Sequence, residues 1–373
     1  MKPLAIVWIA VLLAATAHAE PPAHGPFPPS SLRTSTGAAL APTNFLSADD
    51  CGACHGRHFK QWDGSLHSTA HRDKLYLAFA ELARKEGGDA LYTFCSSCHA
   101  PGAVATKEIP AGGGGKETFL VKEGVSCDIC HSAARVEAVH KGAGANASLI
   151  LDASGVRFGP IEKAEANDAH ASGFSGVHTQ SMLCSACHTL VHPYNGLVIE
   201  DTYEEWRRGP YAAAGIQCQD CHMRSVPQAV EVARTMKPAR VPGKAEDGGP
   251  IRPDVHEHMF VGGNALGARI GAGPEHAAAA MARLKSAATV DVAGRRAGES
   301  LEIGVTVSNA AAGHAIPTSI TELRQVWLDV KVTDGAGREV YHSGAIDEAG
   351  RVDPAAVMYH AVLADREGRP TYL

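Results

Sequence analysis

Hydrophobic and polar positions divide this chain into two parts. Between residues 46 and 265, apolar residues form short helical patches such as DKLYLAFAELARKEG (73–87), separated by glycine-rich loops such as AGGGG (111–115). A further helix is predicted over PEHAAAAMARLKSA (274–287), since Pro274 suits the first turn of a helix. The first part is therefore predicted to be mainly helical and rich in loops.

The second part, from about residue 287, alternates between apolar and polar positions, as half-buried strands do. This alternation occurs in SLEIGVTVSN (300–309) and in RQVWLDVKVT (324–333). The second segment is followed by the turn residues DGAG and then by REVYHSG, which indicates a hairpin. We predict a β-sandwich domain over 287–373, a connecting helix over 266–286 and an α+β fold class. The chain stops at RPTYL within what reads as a strand, so we expect a fragment of a longer protein.

Two segments precede this pattern. Residues 1–19 contain Lys2, an apolar run from Leu4 to Ala15 and small residues near Ala19, which predicts a secretory signal peptide cleaved after Ala19. The apolar run is too short to span a membrane, so we expect a mature chain without a membrane span, in the periplasm or outside the cell. Residues 20–45 form a proline-rich leader, of which EPPAHGPFPPSS (20–31) is predicted to be extended and poorly ordered.

The composition limits how large a core the protein side chains can form and which partners are expected. Aromatic residues make up 6% of the chain, so protein side chains alone give a thin core for the first part. The formal net charge is -6, which argues against nucleic acid as a partner.

Cysteine usage is the strongest chemical signal in the sequence. Every cysteine belongs to a C-x-x-C pair, and a histidine follows each pair directly. The five motifs are Cys51, Cys54 and His55; Cys95, Cys98 and His99; Cys127, Cys130 and His131; Cys184, Cys187 and His188; and Cys218, Cys221 and His222.

C-x-x-C-H is the attachment signature of c-type haem. Its spacing places both thiols along one edge of the porphyrin, and the next imidazole below the iron. A zinc site gathers Cys and His ligands in fours and does not explain a histidine after every pair. A redox dithiol needs one or two pairs, and an oxidising compartment would otherwise favour disulfides. We therefore expect five covalently attached haem c groups, with the ten cysteines as attachment sites and the five motif histidines as proximal iron ligands.

The chain resembles the multihaem c-type cytochromes of the cytochrome c-552/4 type from about residue 46 onward. The resemblance implies closely spaced haems that pass electrons, usually with histidine on both faces of most irons. It rests on the five motifs and on QWDGSLHSTAH (61–71), GVSCDICHS (124–132), TYEEWRRGPYAAAGIQCQDCHM (202–223), HEHMFVGGN (256–264) and AGHAIPT (312–318).

The resemblance also suggests distal iron ligands. His67 lies in the W-x-x-S-x-H-x-x-A frame that the family uses for such a ligand, and His71, four residues later, is a weaker alternative. The family usually places one ligand before the fourth motif, where His170 and His178 are both candidates.

Three further histidines complete the candidate set. His256 and His258 share one side of an extended segment, and the resemblance favours ligation by at least one of them. We expect the loop of His314 to reach from the β domain and cap a haem, with a loop histidine that touches no iron as the alternative. A second W-x₄-Y frame puts Tyr211 where His67 stood, and we favour packing over ligation for Tyr211.

These features favour an electron-transfer protein over an enzyme. An exported pentahaem cytochrome would relay electrons between redox proteins as donor and acceptor. The alternative is an oxidoreductase for a small nitrogen or sulfur compound, with one haem open on its distal face. The C-x-x-C-K variant of one group of nitrite reductases is absent from the sequence, and no other catalytic constellation stands out. An oligomer or an extended redox complex remains a third interpretation.

Overall fold

The protein is described by a computed structural model that covers residues 26–109, 118–165, 167–271 and 273–371. The predicted signal peptide and the AGGGG loop lie outside these described residues. Helices and strands both occur, which confirms the α+β class. Among the described residues, no helix has the length and apolarity needed to cross a bilayer.

The helices are mostly short. In chain order they are α1 (Ala48–Gly52), α2 (Gly56–Asp63), α3 (Lys74–His99), α4 (Pro101–Ala105), α5 (Phe119–Lys122), α6 (Cys127–Ser132), α7 (Met182–Ser185), α8 (Thr202–Arg207), α9 (Pro210–Ala213), α10 (Cys218–His222), α11 (Val226–Thr235), α12 (Ala265–Gly271) and α13 (Pro274–Ala287).

The strands form small separate sheets. They are β1 (Arg33–Thr34), β2 (Ala133–Val136), β3 (Leu149–Leu151), β4 (Val156–Gly159), β5 (Ala171–Phe174), β6 (Leu190–Val191), β7 (Val198–Glu200), β8 (Gly243–Lys244), β9 (Ile251–Arg252), β10 (Ala288–Ala297), β11 (Ser300–Asn309), β12 (Val330–Thr333) and β13 (Glu339–Ser343). One sheet has the order β1-β3-β2, and the others pair β4 with β5, β6 with β7, β8 with β9, β10 with β11 and β12 with β13.

Helix α3 contains the predicted helical patch and ends on the second motif. Asp73 caps its start by accepting a hydrogen bond from the amide of Tyr76 at 2.8 Å. Gly88 interrupts the helix with a φ of 73°, a left-handed conformation that favours glycine. The part of α3 after Gly88 can therefore run in a different direction and place His99 at its end.

Four motifs begin in a short helix, and the second begins near the end of the long helix α3. The helical spacing keeps the two cysteines of a motif about one turn apart. The first motif starts in α1, which Ser47 caps, and the last one fills α10. Because the helices are short, the structure depends on what packs between them rather than on long helix-to-helix interfaces.

The main apolar cluster includes part of the proline-rich segment. Phe27, Leu32, Leu40 and Phe45 are buried in it, and Arg33–Thr34 pairs in parallel with β3. The expectation of a poorly ordered stretch is therefore wrong for residues 26–31, where Phe27, Ser30 and Ser31 are buried. The apolar side chains of the segment share the cluster with Val104 of α4, Leu120 of α5 and Ile129 of α6, a long-range contact without a local sequence signal.

An internal repeat is visible at two tryptophans. The indole N–H of Trp62 donates to the carbonyl of Val125 at 2.8 Å, and that of Trp206 donates to the carbonyl of Ile216 at 2.9 Å. Each acceptor stands two residues before a motif cysteine. Tyr211 lies in the buried cluster around Ile216, in agreement with a packing role.

The C-terminal region confirms the predicted hairpin, since β12 and β13 pair as antiparallel strands. Helix 274–287 is likewise confirmed, with Pro274 at its start. The strand pairs β10–β11 and β12–β13 form two separate two-stranded sheets, and Val290 and Val292 are 58% and 68% exposed. The β-sandwich over 287–373 thus stays a prediction.

Three turns of this region repeat the pattern D-x-x-G-R, which the sequence analysis missed. The aspartates accept hydrogen bonds from the amide and the Nε of the arginine four residues later, at 2.7–2.9 Å. The glycine of each turn has a φ between 78° and 80°. The turns span residues 334–338, 347–351 and 365–369.

Candidate functional site

All five motifs line one central cavity. Its volume is about 3400 Å³, and every motif cysteine and histidine contributes to its wall. Pockets for one drug-sized ligand hold roughly 300–1,000 Å³, so this cavity has room for several large groups. None of the ten cysteines is paired in a disulfide, so all of them remain available for haem attachment. The residues fit covalent haem c, because paired thiols and an imidazole at each motif are the donors that this group requires.

The five motif histidines share one orientation. In each, Nδ1 lies within hydrogen-bond distance of an oxygen acceptor, which leaves Nε2 for an iron. The acceptors are the carbonyls of Ala245 for His55 at 2.7 Å, Ala70 for His99 at 2.9 Å, Phe158 for His131 at 2.6 Å and Val261 for His222 at 2.9 Å, and the carboxylate of Glu200 for His188 at 3.2 Å.

Desolvation keeps several of these imidazoles neutral. It lowers the pKa of His222 to about 3, and neighbouring cationic groups act in the same direction. The pKa values of His99 and His131 are lowered for the same main reason. A neutral imidazole is the form that ligates a metal, so desolvation prepares these side chains for iron.

His188 differs electrostatically from the other motif histidines. Desolvation opposes a charge on His188, but the hydrogen bond and the charge of Glu200 outweigh it and raise the pKa of His188 to about 9. Desolvation likewise acts to raise the pKa of Glu200, yet the bond to His188 and its charge hold it below the ordinary value. Glu200 is therefore a carboxylate.

A second histidine faces four of the five motif histidines. Their ring centroids are 6.1–6.4 Å apart, which leaves room for one iron between the two rings. His170 faces His55, His258 faces His131, His67 faces His188 and His314 faces His222. Desolvation lowers the pKa of His67 to about 3. The structure thus brings together candidates from distant parts of the sequence.

The relative tilt of the rings distinguishes one pair. The rings of His67 and His188 are inclined by 58°. In the other three pairs the angle between the ring planes is 24°, 23° and 14°.

The remaining distal candidates are less well placed. The ring of His178 stacks on His131 at 5.6 Å, but its Nε2 contacts the carbonyl of Ala133 at 3.1 Å. His256 contributes its carbonyl to Nδ1 of His258 at 3.3 Å, so of this pair it is His258 that points towards a motif histidine.

The second motif has a different environment. Tyr76 stacks on His99 with ring centroids 3.9 Å apart. Among the described residues, no other ring lies opposite His99 at the spacing of the four pairs. His71 packs against Tyr76 at 5.4 Å, and its buried Nε2 has no hydrogen-bond partner.

Contacts between thiols reveal how the motifs are arranged in space. The side chains of three pairs of cysteines from different motifs lie close together, namely Cys51 and Cys127, Cys98 and Cys187, and Cys184 and Cys218. The first motif therefore adjoins the third, and the fourth motif adjoins both the second and the fifth. The fourth motif also lies close to Cys130 of the third. It is the junction of the arrangement.

Two acidic residues within motifs are structural. Asp128 is buried, accepts the amide of Leu46 at 2.7 Å and pairs with Arg157 at 2.8 Å. Asp220 accepts the amide of Gln217 at 2.8 Å at the start of α10. Both carboxylates therefore serve as hydrogen-bond partners rather than as solvated side chains.

Sequence reasoning missed two further side chains at this site. Glu200 has no motif around it that would identify it as a partner of His188. His58, three residues after a motif histidine, packs edge-on against His258 with ring centroids 4.6 Å apart, and its buried Nε2 has no partner. Its position beside a motif was the only available signal.

Comparisons with known proteins agree with this geometry. Residues 50–132, which contain the first three motifs, match the family described as Cytochrome c554 and c-prime. A penta-heme cytochrome c552 from Thermochromatium tepidum has a similar fold, with a TM-score of 0.59, 19% identity, and coverage of 88% of this chain and 81% of that chain. No curated protein matches the chain. The family match and the structural likeness agree with the resemblance to multihaem c-type cytochromes that the sequence motifs carry.

Proposed function

We propose that this protein is an exported pentahaem c-type cytochrome that relays electrons between redox partners outside the cytoplasm. The observation that carries the proposal is the set of four facing histidine pairs around one cavity. An iron with two histidine ligands has no position left for a substrate, so such sites suit electron transfer. The likeness to multihaem cytochromes supports the same function.

The residues of the chain have distinct roles in this proposal. Haem c supplies one-electron chemistry at its iron when it is bound. The ten motif cysteines hold it covalently, and the five motif histidines with His67, His170, His258 and His314 orient it. The carbonyls and the carboxylate at Nδ1 fix the tautomer and the rotation of each motif imidazole.

Export and partners follow from sequence features. The first 19 residues have the pattern of a secretory signal peptide, which suits a protein whose haem is attached in the periplasm or outside the cell. Other redox proteins are the proposed donor and acceptor. The formal net charge of -6 favours a partner with a basic docking surface.

The first prediction tests the number and the redox activity of the sites. We expect the mature protein to carry five haems by intact mass, one for each motif. A reductive titration should then take up five electrons reversibly. Replacement of Cys51 and Cys54 by alanine should remove one haem and one electron and leave the other four. A wild-type mass with fewer than five haems would contradict the proposal.

A second candidate function is an oxidoreductase that acts at the second motif. It is favoured by one observation, that no histidine within the described residues faces His99 as the other four motif histidines are faced. An iron held there by His99 alone would have a position for a small nitrogen or sulfur compound. Tyr76 and His71 would border that position.

The second prediction concerns carbon monoxide, which binds ferrous haem only where a position is open. We expect the reduced wild-type protein to show a spectral shift in about one haem of five. His71→Ala should leave this fraction unchanged, because His71 is not a ligand in this interpretation. If only the variant binds carbon monoxide, His71 occupies the site and the oxidoreductase candidate is excluded.

A further inference from the structure

The histidine of the fourth motif is held by a charge, whereas the other four are held by dipoles. Nδ1 of His55, His99, His131 and His222 lies 2.6–2.9 Å from a backbone carbonyl oxygen. Nδ1 of His188 instead lies 3.2 Å from Oε1 of Glu200. A neutral carbonyl fixes only the orientation of the ring. A carboxylate also places a full negative charge one hydrogen bond away.

A small hairpin places Glu200 beside the motif. Strands β6 and β7 pair so that Leu190 stands opposite Glu200. His188 lies two residues before this pair, and its carbonyl also accepts a bond from the amide of Tyr203 at 3.4 Å. The position of the carboxylate is therefore set by strand register rather than by a flexible loop.

Glu200 lies in the interior without a cation to neutralise it. It is 7% exposed, and within the described part of the chain no lysine or arginine pairs with it. Thr202 donates to its Oε1 at 3.3 Å, and the side chain of Ser319 lies close to it. A buried carboxylate is costly to maintain, so its retention beside an iron ligand calls for a reason beyond packing.

Two physical effects of Glu200 act on the same property. Acceptance of the Nδ1–H by a carboxylate makes the imidazole a stronger donor to a metal at Nε2. The negative charge also stabilises the higher positive charge of an oxidised iron through the poorly screened interior. Both effects make the iron harder to reduce.

We propose that Glu200 makes the haem site at the fourth motif the most reducing of the five. The inference rests on the proposed function, because it assumes that His188 holds a haem iron. Glu200 acts through His188 and is therefore a positioning residue that sets a reduction potential.

The place of the fourth motif gives this assignment a consequence for electron flow. Its cysteines adjoin those of the second, third and fifth motifs. A strongly reducing site at this junction holds an electron only briefly and passes it on to any neighbour. The junction would then connect the branches without storing charge.

The third prediction measures this potential in the full-length, haem-loaded protein. Glu200→Gln keeps the size and the hydrogen-bonding capacity of the side chain and removes its charge. We expect the lowest of the five midpoint potentials to rise. The expected rise is at least about 59 mV, which is a tenfold change in the equilibrium constant of a one-electron reduction. The inference is wrong if the lowest midpoint stays unchanged in a folded Glu200→Gln protein.

An independent variant identifies the site while Glu200 stays intact. His67 faces His188, and its replacement by methionine should raise the potential of that iron. We expect the midpoint that moves in His67→Met to be the lowest one of the wild type. Movement of a different midpoint would overturn the inference even if Glu200→Gln did not fold.

Electron paramagnetic resonance supplies the matching signature. Steeply inclined ligand planes leave the iron d orbitals nearly equal in energy, whereas nearly parallel planes separate them. The tilt of 58° at the fourth motif therefore predicts one low-spin signal with a larger anisotropy than the other three pairs produce. During a reductive titration this signal of oxidised iron should be the last one to disappear in the wild type, and it should disappear earlier in Glu200→Gln.

Glu205→Gln is the matched control. Glu205 Oε2 accepts hydrogen bonds from the hydroxyl of Thr318 at 2.6 Å and the amide of Ala315 at 3.1 Å. It therefore anchors the loop that contains Ala315 and Thr318, next to Ser319, without touching His188. We expect this variant to leave the lowest midpoint in place. An equal shift in both variants would assign the effect to the loop and overturn the inference. Fewer than five haems in the wild type would contradict the proposed function instead.

Discussion

The chain made without haem is expected not to reach a cooperatively folded state. The cavity of about 3400 Å³ lies at the centre of the five motifs, and its apolar lining would be exposed to water if nothing filled it. Native domains are stable by only about 5–15 kcal/mol, and the motif helices are four to six residues long where they are not part of α3. Too little apolar burial would remain to order them.

Circular dichroism during heating tests this expectation. The haem-free chain should lose signal gradually, whereas the haem-loaded protein prepared in parallel should melt in one transition. Limited proteolysis should cleave the haem-free chain throughout residues 46–265. A sharp melting transition of the haem-free chain with an intact near-ultraviolet spectrum would show that the protein part folds alone, contrary to this argument.

The local features of the fold could be predicted from the sequence. Helix 274–287 and the hairpin around DGAG follow from short-range preferences, namely a proline in a first turn and glycines between alternating strands. The spacing of the motifs also indicated their chemistry, and in the structure Nδ1 of every motif histidine contacts an oxygen, which leaves Nε2 for a metal.

Features that depend on distant contacts could not be predicted in the same way. The sequence left His170 and His178 as equal candidates, and only the fold places the Nε2 of His178 against the carbonyl of Ala133. Glu200 reaches His188 because a hairpin turns back on itself. The burial of Leu32 among prolines likewise depends on an asparagine-containing loop more than a hundred residues away, since the amide of Ser31 donates to the carbonyl of Asn146.

The loop of His314 is expected from the sequence to cap a haem, and the structure places the His314 ring opposite a motif histidine. Its ring faces His222 at 6.1 Å, with an angle of 14° between the planes. The loop is fixed to the first part of the chain by the bond between Thr202 and Thr318 at 2.9 Å. Its ring therefore lies in position to supply the distal ligand at the fifth motif.

Replacement of His314 by methionine is expected to raise one midpoint potential by on the order of 100 mV, about fiftyfold in the equilibrium constant. A thioether favours the reduced iron more than an imidazole does, so the direction is upward. His314→Ala should instead open the site and add one haem to the fraction that binds carbon monoxide. Spectroelectrochemical titration and carbon monoxide spectra measure the two effects.

His342→Met is the control from the same region. His342 Nε2 contacts Asp329 at 2.7 Å in the β12–β13 hairpin, and no motif histidine faces it within the described residues. We expect all five potentials to stay at their wild-type values in this variant. Unchanged spectra and potentials in His314→Met would reduce His314 to a loop residue. The hydrogen bonds that join Thr318 to Glu205 and Thr202 would still hold the loop of His314 beside the fifth motif. The loop would then have a structural role there rather than a role as an iron ligand.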